Sequence, residues 1–387
     1  MGLIQEGRYV NMLDLNEMKQ FILDKTKDNA MNFKDKLPFY SEDGKYTFNE
    51  YGGWTGGFWC GLNFLCYEMS KDKFYIEAAR ASRHRFVERL YEKPESLDHD
   101  IGFLYGLSCV ADYKITGDEK AKKIALDAAD ALIARYNETG KFIQAWNVRT
   151  PGDPFSEENR GRIIIDCMYN LPFLFWATEV TGDEKYKRVA VGHADTCAKY
   201  IIRSDYTSFH CYIFDPDTGK PKCGKTYQGY ADDSCWSRGQ SWAIGGFTYA
   251  YAYTGDKKYL EIAKKCADVF IDLLEDDNVP MWDFKLPDKD GEERDTSAGA
   301  TAAASMLELS KHVADDERNY YVDCAKKILE SLYSNYSTKD MADEQGLLLH
   351  GCGHKPKNKM VDCSLIYGDY YFAEAVARLL DDTVRYW

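Results

Sequence analysis

A turn that the chain uses again and again constrains its fold more than any other feature. Thr-Gly-Asp stands at 116–118, 181–183 and 254–256, each time between an apolar stretch and an amphipathic one, with weaker copies at Ser70-Lys71-Asp72 and Ala314-Asp315-Asp316. Self-similarity at such intervals marks a fold built by stacking one supersecondary unit. The chemistry of the turn explains its shape. Gly117 suits the left-handed conformation that closes one helix, and Asp118 caps the next. Ile124, Leu126, Ala128, Leu132 and Ile133 then make an apolar stripe beside Lys120, Lys122, Lys123 and Asp127, the pattern of a helix with one face on a core.

The segments before these turns differ. GGFWCGLNFLCYEM, IGFLYGLSCVADY, CMYNLPFLFWATEV, GQSWAIGGFTYAYAY, AGATAAASMLELSKH and GDYYFAEAVARLL are apolar on most sides and rich in small residues, as helices surrounded by protein must be. Six such helices, most followed by an amphipathic one, predict an inner and an outer ring. The expected fold is all-α, an (α/α)6 double toroid forming a single domain over 1–387, with its first outer helix over roughly 14–29. Short strands are expected near Phe142–Val148 and Phe209–Phe214. Loops at 149–161, 215–234, 284–296 and 350–360 separate the hairpins, and loops of this length tend to carry function.

A net charge of -14 argues against a nucleic-acid backbone as partner. No apolar run approaches the roughly 18 residues of a membrane helix, and the first residues do not read as a signal peptide. The 12 cysteines are scattered, many within apolar helical stretches, which fits reduced thiols in a cytoplasmic protein. Cys352 lies near His350 and His354, but this Gly-rich loop lacks the ligand spacing of a zinc site, so no metal is expected. Aromatic residues make up 14% of the chain, a content that suits a sugar-binding cleft and a thick helical core equally.

Inner helices of a toroid run in the same direction, so their N-termini meet at one rim and form a cup. The polar residues at these starts are Trp54, Asp98-His99-Asp100, Asp166, Trp236-Ser237-Arg238-Gly239-Gln240, Asp295-Thr296-Ser297 and Asp369. Helix capping accounts for Asp295 and Asp369. It accounts less well for Asp100 and Asp166. Asp166 follows Ile163, Ile164 and Ile165 and precedes Cys167 and Met168. An aspartate in apolar company has a raised pKa unless paired, and a second carboxylate raises it further. Such a group stays protonated near neutrality and can act as a general acid. Other positions carry two readings each. Arg238 suits a substrate carboxylate or an ion pair with a neighbouring aspartate. Trp236 and Trp242 suit sugar stacking or packing. His99 suits a base or a structural partner. His210 and Gln228 suit the site or the surface.

Six segments in order resemble the unsaturated glucuronyl hydrolases, glycoside hydrolase family 88, from roughly residue 35 to 380. They are Trp-Thr-Gly-Gly-Phe-Trp at 54–59, His-Asp-Ile-Gly-Phe at 99–103, Ile-Asp-Cys-Met at 165–168, Trp-Ser-Arg-Gly-Gln-Ser-Trp at 236–242, Asp-Thr-Ser-Ala at 295–298 and Tyr-Gly-Asp-Tyr-Tyr-Phe at 367–372. The resemblance implies a six-hairpin toroid with no metal or organic cofactor. It assigns catalysis to Asp100 and Asp166, and substrate contact to Trp146, His210, Gln228, Arg238 and Trp242, with Trp54 and His99 at the same rim. Trp146, His210 and Gln228 rest on spacing in variable loops. The implied reaction hydrates the C4=C5 double bond of a 4,5-unsaturated uronic acid at the end of a lyase-generated chondroitin, hyaluronan or heparin fragment. Asp166 protonates C4, water adds at C5, and Asp100 holds Asp166 protonated through like-charge coupling. A monomer or homodimer would suffice.

Three alternatives stand beside this reading: an unsaturated rhamnogalacturonyl hydrolase acting on pectin fragments, a sugar isomerase or epimerase using His99, His210, His350 and His354, and a non-catalytic sugar-binding protein. The segment His350–Lys359 is locally basic in an acidic chain. It is expected to overhang the rim, either as a contact for a sulfate or carboxylate or as a solvated loop.

Overall fold

A computed structural model describes residues 14–381 and 386–387. Among them, six inner segments close a ring: Gly56–Ser70; Gly102–Val110 continued by Ala111–Thr116; Ile165–Asn170 continued by Leu171–Thr181; Ser237–Thr254; Thr296–Leu309; and Ile366–Asp381. Each packs on the next, and the last packs on the first. The outer layer comprises Leu15–Phe33, Phe74–Arg80 with Arg83–Glu92, Glu119–Ile133, Glu184–Tyr200, Lys257–Asp272 and Asp315–Asn335. The double toroid expected from the repeat is the architecture observed. The first outer helix runs longer than expected and is capped by Asp14, whose carboxylate accepts the N–H groups of Asn16 and Glu17 at 3.0 Å each.

The repeated turn works as its residues require. Gly117, Gly182 and Gly255 have φ of 74°, 71° and 70°. The following aspartates accept backbone N–H groups: Asp118 from Lys120 and Ala121, Asp183 from Lys185, Asp256 from Lys258. Thr181 and Thr254 add a second lock, since each hydroxyl donates to the carbonyl four residues back and accepts the N–H of the capping aspartate. In the 70–72 copy, Ser70 and Asp72 keep these bonds while Lys71 takes the glycine place at φ 60°. The 314–316 copy has no capping side chain.

The strands are more numerous than expected, and they lead into the inner segments. Cys211–Phe214 is the central strand of an antiparallel sheet with Arg162–Ile164 and Pro221–Lys225. Near 142–148 only Phe142–Ile143 is paired, with Tyr136–Asn137. A hairpin of Leu37–Glu42 and Lys45–Asn49 was not anticipated. The segment expected as a loop at 350–360 is a second hairpin, Gly351–His354 with Lys359–Cys363, carrying Lys355–Lys357 at its tip. Gly-Cys-Gly-His is too short and Gly-rich to read as a strand. Its order comes from tertiary partners: Asp295 accepts the N–H of Cys352, and Arg238 donates to the carbonyls of Cys352 and Gly353.

Aromatic rings fill the middle of the ring. Trp242 lies 5.1 Å from Tyr169, 5.3 Å from Phe103 and 5.5 Å from Tyr371, centroid to centroid. The second inner segment begins with a π-helical winding over Gly102–Val110, a form frequent at functional sites. Gly57 permits this close approach, since a Cβ there would stand 2.0 Å from the carbonyl oxygen of Phe103. No helix among the described residues is long and apolar enough to cross a membrane.

Candidate active site

Asp100 and Asp166 rise from neighbouring inner segments tied together by one buried side chain. Asn170 Oδ1 accepts the N–H of Phe103 at 2.8 Å, and its Nδ2 reaches back to the carbonyl of Asp166 at 3.4 Å. Asp166 sits where the strand Arg162–Ile164 turns into the 3-10 segment. The N–H of Ile165 donates to the carbonyl of His210 at 3.0 Å. This bond sets the His210 ring opposite Asp166, with Nε2 at 4.0 Å from Oδ2. Both aspartates are only 8% exposed.

Burial of this kind disfavours charge. It pushes the Asp166 carboxyl up to about 7, against the opposing pull of Arg238. Asp100 is held well above the ordinary carboxylate range, first by burial, then by Asp98 and Asp166. The like-charge effect expected at Asp166 therefore falls chiefly on Asp100, and its main source is Asp98, two residues away. Asp98 Oδ1 also accepts the N–H of Asp100 at 3.1 Å.

His210 and His99 are neutral. Nδ1 of His210 accepts the N–H groups of Tyr227 and Gln228 at 3.0 and 3.1 Å. A ring nitrogen that accepts cannot carry the proton, so Nε2–H faces Asp166. Burial, with Arg238 nearby, holds the His210 pKa well below its usual value. His99 Nε2 is 3.5 Å from Asp100 Oδ1, and burial lowers its pKa to about 4.

Arg238 takes the ion-pair reading. It pairs with Asp295, donates to the carbonyl of Cys352 at 2.7 Å and to that of Gly353 at 2.8 Å, and lies 4.5 Å over the Trp236 ring. Gln228 donates to the same Gly353 carbonyl at 2.8 Å. Both residues thus fasten the 351–363 hairpin beside the site. Asp295 caps Thr296–Leu309 as expected and also holds Arg238. Asp369 is not a cap; it accepts from the Tyr46 hydroxyl at 2.6 Å and from the N–H groups of Leu347 and Leu348. Trp242 is 0% exposed and packs among Phe103, Tyr169 and Tyr371, so it takes the packing reading. Trp54 packs at the rim against Tyr367 at 4.7 Å.

A cleft of about 510 Å³ opens on Asp100, lined by Trp54, Asp98, Trp146, Arg149, Phe155 and Tyr227 among others. Trp146 packs against His210 at 6.3 Å and Tyr227 at 5.2 Å. Asp98 was named at the rim from the sequence but given no role, and Phe155 and Tyr227 were not picked out. Asp98 had a signal, its position in the Asp-His-Asp run; the two aromatics lie in loops with no pattern to mark them. Among the described residues no group of three His, Cys, Asp or Glu could hold a metal ion.

Fold and cup together define a class: an α/α toroid with two buried aspartates at one rim beside an aromatic-lined cleft. Comparison with known proteins narrows this. The model of Glycosyl Hydrolase Family 88 matches residues 22–379, and the chain belongs to that family of glycosidases. It is 42% identical to an unsaturated glucuronyl hydrolase of Bacillus sp. (strain GL1), covering 94% of this chain and 96% of that protein. It is 39% identical to an unsaturated chondroitin disaccharide hydrolase of Streptococcus pneumoniae, covering 92% and 89%. The crystal structure of the Bacillus sp. GL1 enzyme superposes with a TM-score of 0.90 at 40% identity, covering 95% of this chain and 97% of the other. An unsaturated glucuronyl hydrolase specific for heparin gives a TM-score of 0.86 at 30% identity, covering 94% and 96%.

Proposed function

We propose that this chain releases 4,5-unsaturated glucuronic acid from lyase-generated glycosaminoglycan di- and oligosaccharides by hydrating the C4=C5 double bond. One observation carries the reading: a buried carboxyl poised near 7 faces a neutral imidazole N–H, and that imidazole packs on Trp146, which with Asp100 lines an aromatic-walled cleft. Protonated Asp166 gives its proton to C4. Water adds at C5, and the Asp166 carboxylate takes a proton from it. The hemiketal so formed opens between C5 and the ring oxygen, and the remaining sugar leaves from C1. The glycosidic bond is not attacked directly, so the usual rule linking carboxylate separation to stereochemistry does not apply. Asp100, held neutral, donates a hydrogen bond to the sugar, as does the Nε2–H of His210. Trp146, with Trp54, walls the ring; Trp242 supports the floor. Arg238 and Gln228 act on the uronate through the hairpin they fasten and through the positive field of the guanidinium.

The anionic substrate suits the cations at the cleft edge, where Lys357 lies 4.3 Å over the Tyr227 ring. The names of the relatives favour unsaturated chondroitin disaccharides as the first substrates to try. The closed ring of hairpins supports a single catalytic domain, acting as a monomer or homodimer. Twelve free cysteines, nine of them buried, support a reducing, cytoplasmic setting. The test is to follow the conjugated-alkene absorbance of unsaturated chondroitin disaccharides with a chelator present. Loss of absorbance with the parent protein and none with Asp166→Asn is expected; turnover by Asp166→Asn close to the parent would overturn the assignment.

A further inference from the structure

Trp387 lies far from Asp100 and Asp166 in sequence but packs on the rings that follow each of them. It is 4% exposed. Its ring stands 5.9 Å from Phe103, 5.2 Å from Tyr169 and 6.5 Å from Phe58, and stacks on Tyr371 at 6.1 Å with an interplanar angle of 11°. Nε1 donates to Glu374 Oε2 at 2.9 Å, and the Trp387 carbonyl accepts from the Tyr253 hydroxyl at 3.0 Å. One residue therefore touches five of the six inner segments. The sixth, Thr296–Leu309, reaches this group through Ser305, whose hydroxyl bonds that of Tyr169 at 2.7 Å.

Two of these contacts matter for chemistry. Phe103 follows Asp100 by three residues, and Tyr169 follows Asp166 by three. Each ring therefore lies about one helical turn below an acid, on the same short segment. Trp387 bridges the two, and Trp242 also packs on both. A shift of the indole moves the bases on which both carboxylates stand. Well-packed interiors pass such displacements on instead of absorbing them.

We infer that Trp387 is a positioning residue for the proposed hydration, the keystone that sets the separation and depth of Asp100 and Asp166. The inference rests on the function proposed above. Removing the indole leaves a cavity bounded by Phe58, Phe103, Tyr169, Tyr370 and Tyr371. The layer above then sags or admits water, and the acids lose their relative placement.

The test uses the full chain and the variants Trp387→Ala and Trp387→Phe, with circular dichroism as the check on folding. A misplacement of the order of 1 Å costs about 100-fold in rate, so Trp387→Ala is expected to lower kcat by about 30- to 100-fold while KM changes by less than about threefold. Trp387→Phe is expected to restore kcat to within about threefold. Apolar cavities of this kind take up aromatic probes, so millimolar indole should raise the kcat of Trp387→Ala. A folded Trp387→Ala with parental kcat, KM and pH profile would overturn the inference, as would a loss that neither phenylalanine nor indole repairs. Should Trp387→Ala fail to fold, Trp387→Leu takes its place with the same expectations. The titration of Asp166 gives an arm independent of substrate, read as the pH-dependent difference in Tm between Asp166→Asn and its parent. Water admitted beneath the acids moves this midpoint to lower pH in the Trp387→Ala background; an unmoved midpoint counts against the inference. If the parent consumed no unsaturated sugar, the proposed function would fail, and this arm would still decide whether Trp387 governs the setting of Asp166.

Discussion

Nε2 of His210 lies 4.0 Å from Oδ2 of Asp166, and neither atom has a hydrogen-bond partner among the described residues. Buried polar atoms are rarely left so without a reason. Here the two face each other, one a fixed donor and the other a carboxyl raised to about 7 by burial. In the proposed mechanism, a sugar that satisfies both is held where Asp166 passes it a proton.

The first prediction concerns rate and pH. A general acid must start protonated, so activity is full below the Asp166 pKa of about 7 and falls about tenfold per unit above it. Initial rates between pH 5 and 9 check this, and a plateau reaching pH 9 would contradict it. Asp166→Asn is expected to lose about 1000-fold in kcat, within the range of acid–base contributions, while KM changes little.

Stability gives a second, independent reading of the same group. The Asp166 pKa is raised in the folded protein, so the folded state binds the proton more tightly than the unfolded chain. Its contribution is fully present below the unfolded value near 4 and is lost as pH rises through about 7. Replacing the acid by a neutral amide removes this loss. Asp166→Asn should therefore raise Tm at pH 8 by about 5 °C and leave it nearly unchanged at pH 4. Scanning calorimetry at both pH values is the measurement; an equal shift at both would contradict the origin in titration.

Arg238 and Asp295 form a buried pair with side chains 1% and 0% exposed. Removing one partner leaves a charge uncompensated, which costs about 3–5 kcal/mol. Asp295→Ala should lower stability by that amount in urea unfolding. It should also loosen the 351–363 hairpin, because Asp295 holds the N–H of Cys352. Asp295→Asn keeps the cap and should cost less.

Asn170→Ala separates scaffold from site. It removes the acceptor for the Phe103 N–H and leaves that buried group unpaired, at a cost of about 1–3 kcal/mol. Because Asn170 ties the segments of Asp100 and Asp166, kcat should fall with it. Steady-state kinetics beside thermal melts would show both effects; a stability loss with unchanged kcat would assign Asn170 to the scaffold alone.

The repeated turns offer the control. Asp183→Ala and Asp256→Ala each delete one cap, worth about 1 kcal/mol, and both positions lie on the opposite side of the hairpins from the cup. Melting temperatures should fall slightly, and kcat, KM and the pH profile should not move.

The ring was legible because its signals are local. A left-handed glycine, a capping aspartate and a stripe of period 3.6 all act within a few residues, and each recurs along the chain. The acids were legible for a related reason: three isoleucines before Asp166 announce its burial, and Asp100 opens an apolar helix. Tertiary structure decided what depends on segments far apart. Arg238 meets Asp295 across 57 positions and the Gly353 carbonyl across 115, so nothing in its own neighbourhood chose between ion pair and substrate contact. The 351–363 hairpin is ordered by those same partners, not by its own weak strand propensity. That Asp166 raises the pKa of Asp100 less than Asp98 does depended on how the folded segments set the two acids apart. The seat of Trp387 beneath both acids exists only once the ring has closed, because it is built from the faces of separate helices brought together by the burial of their aromatic rings.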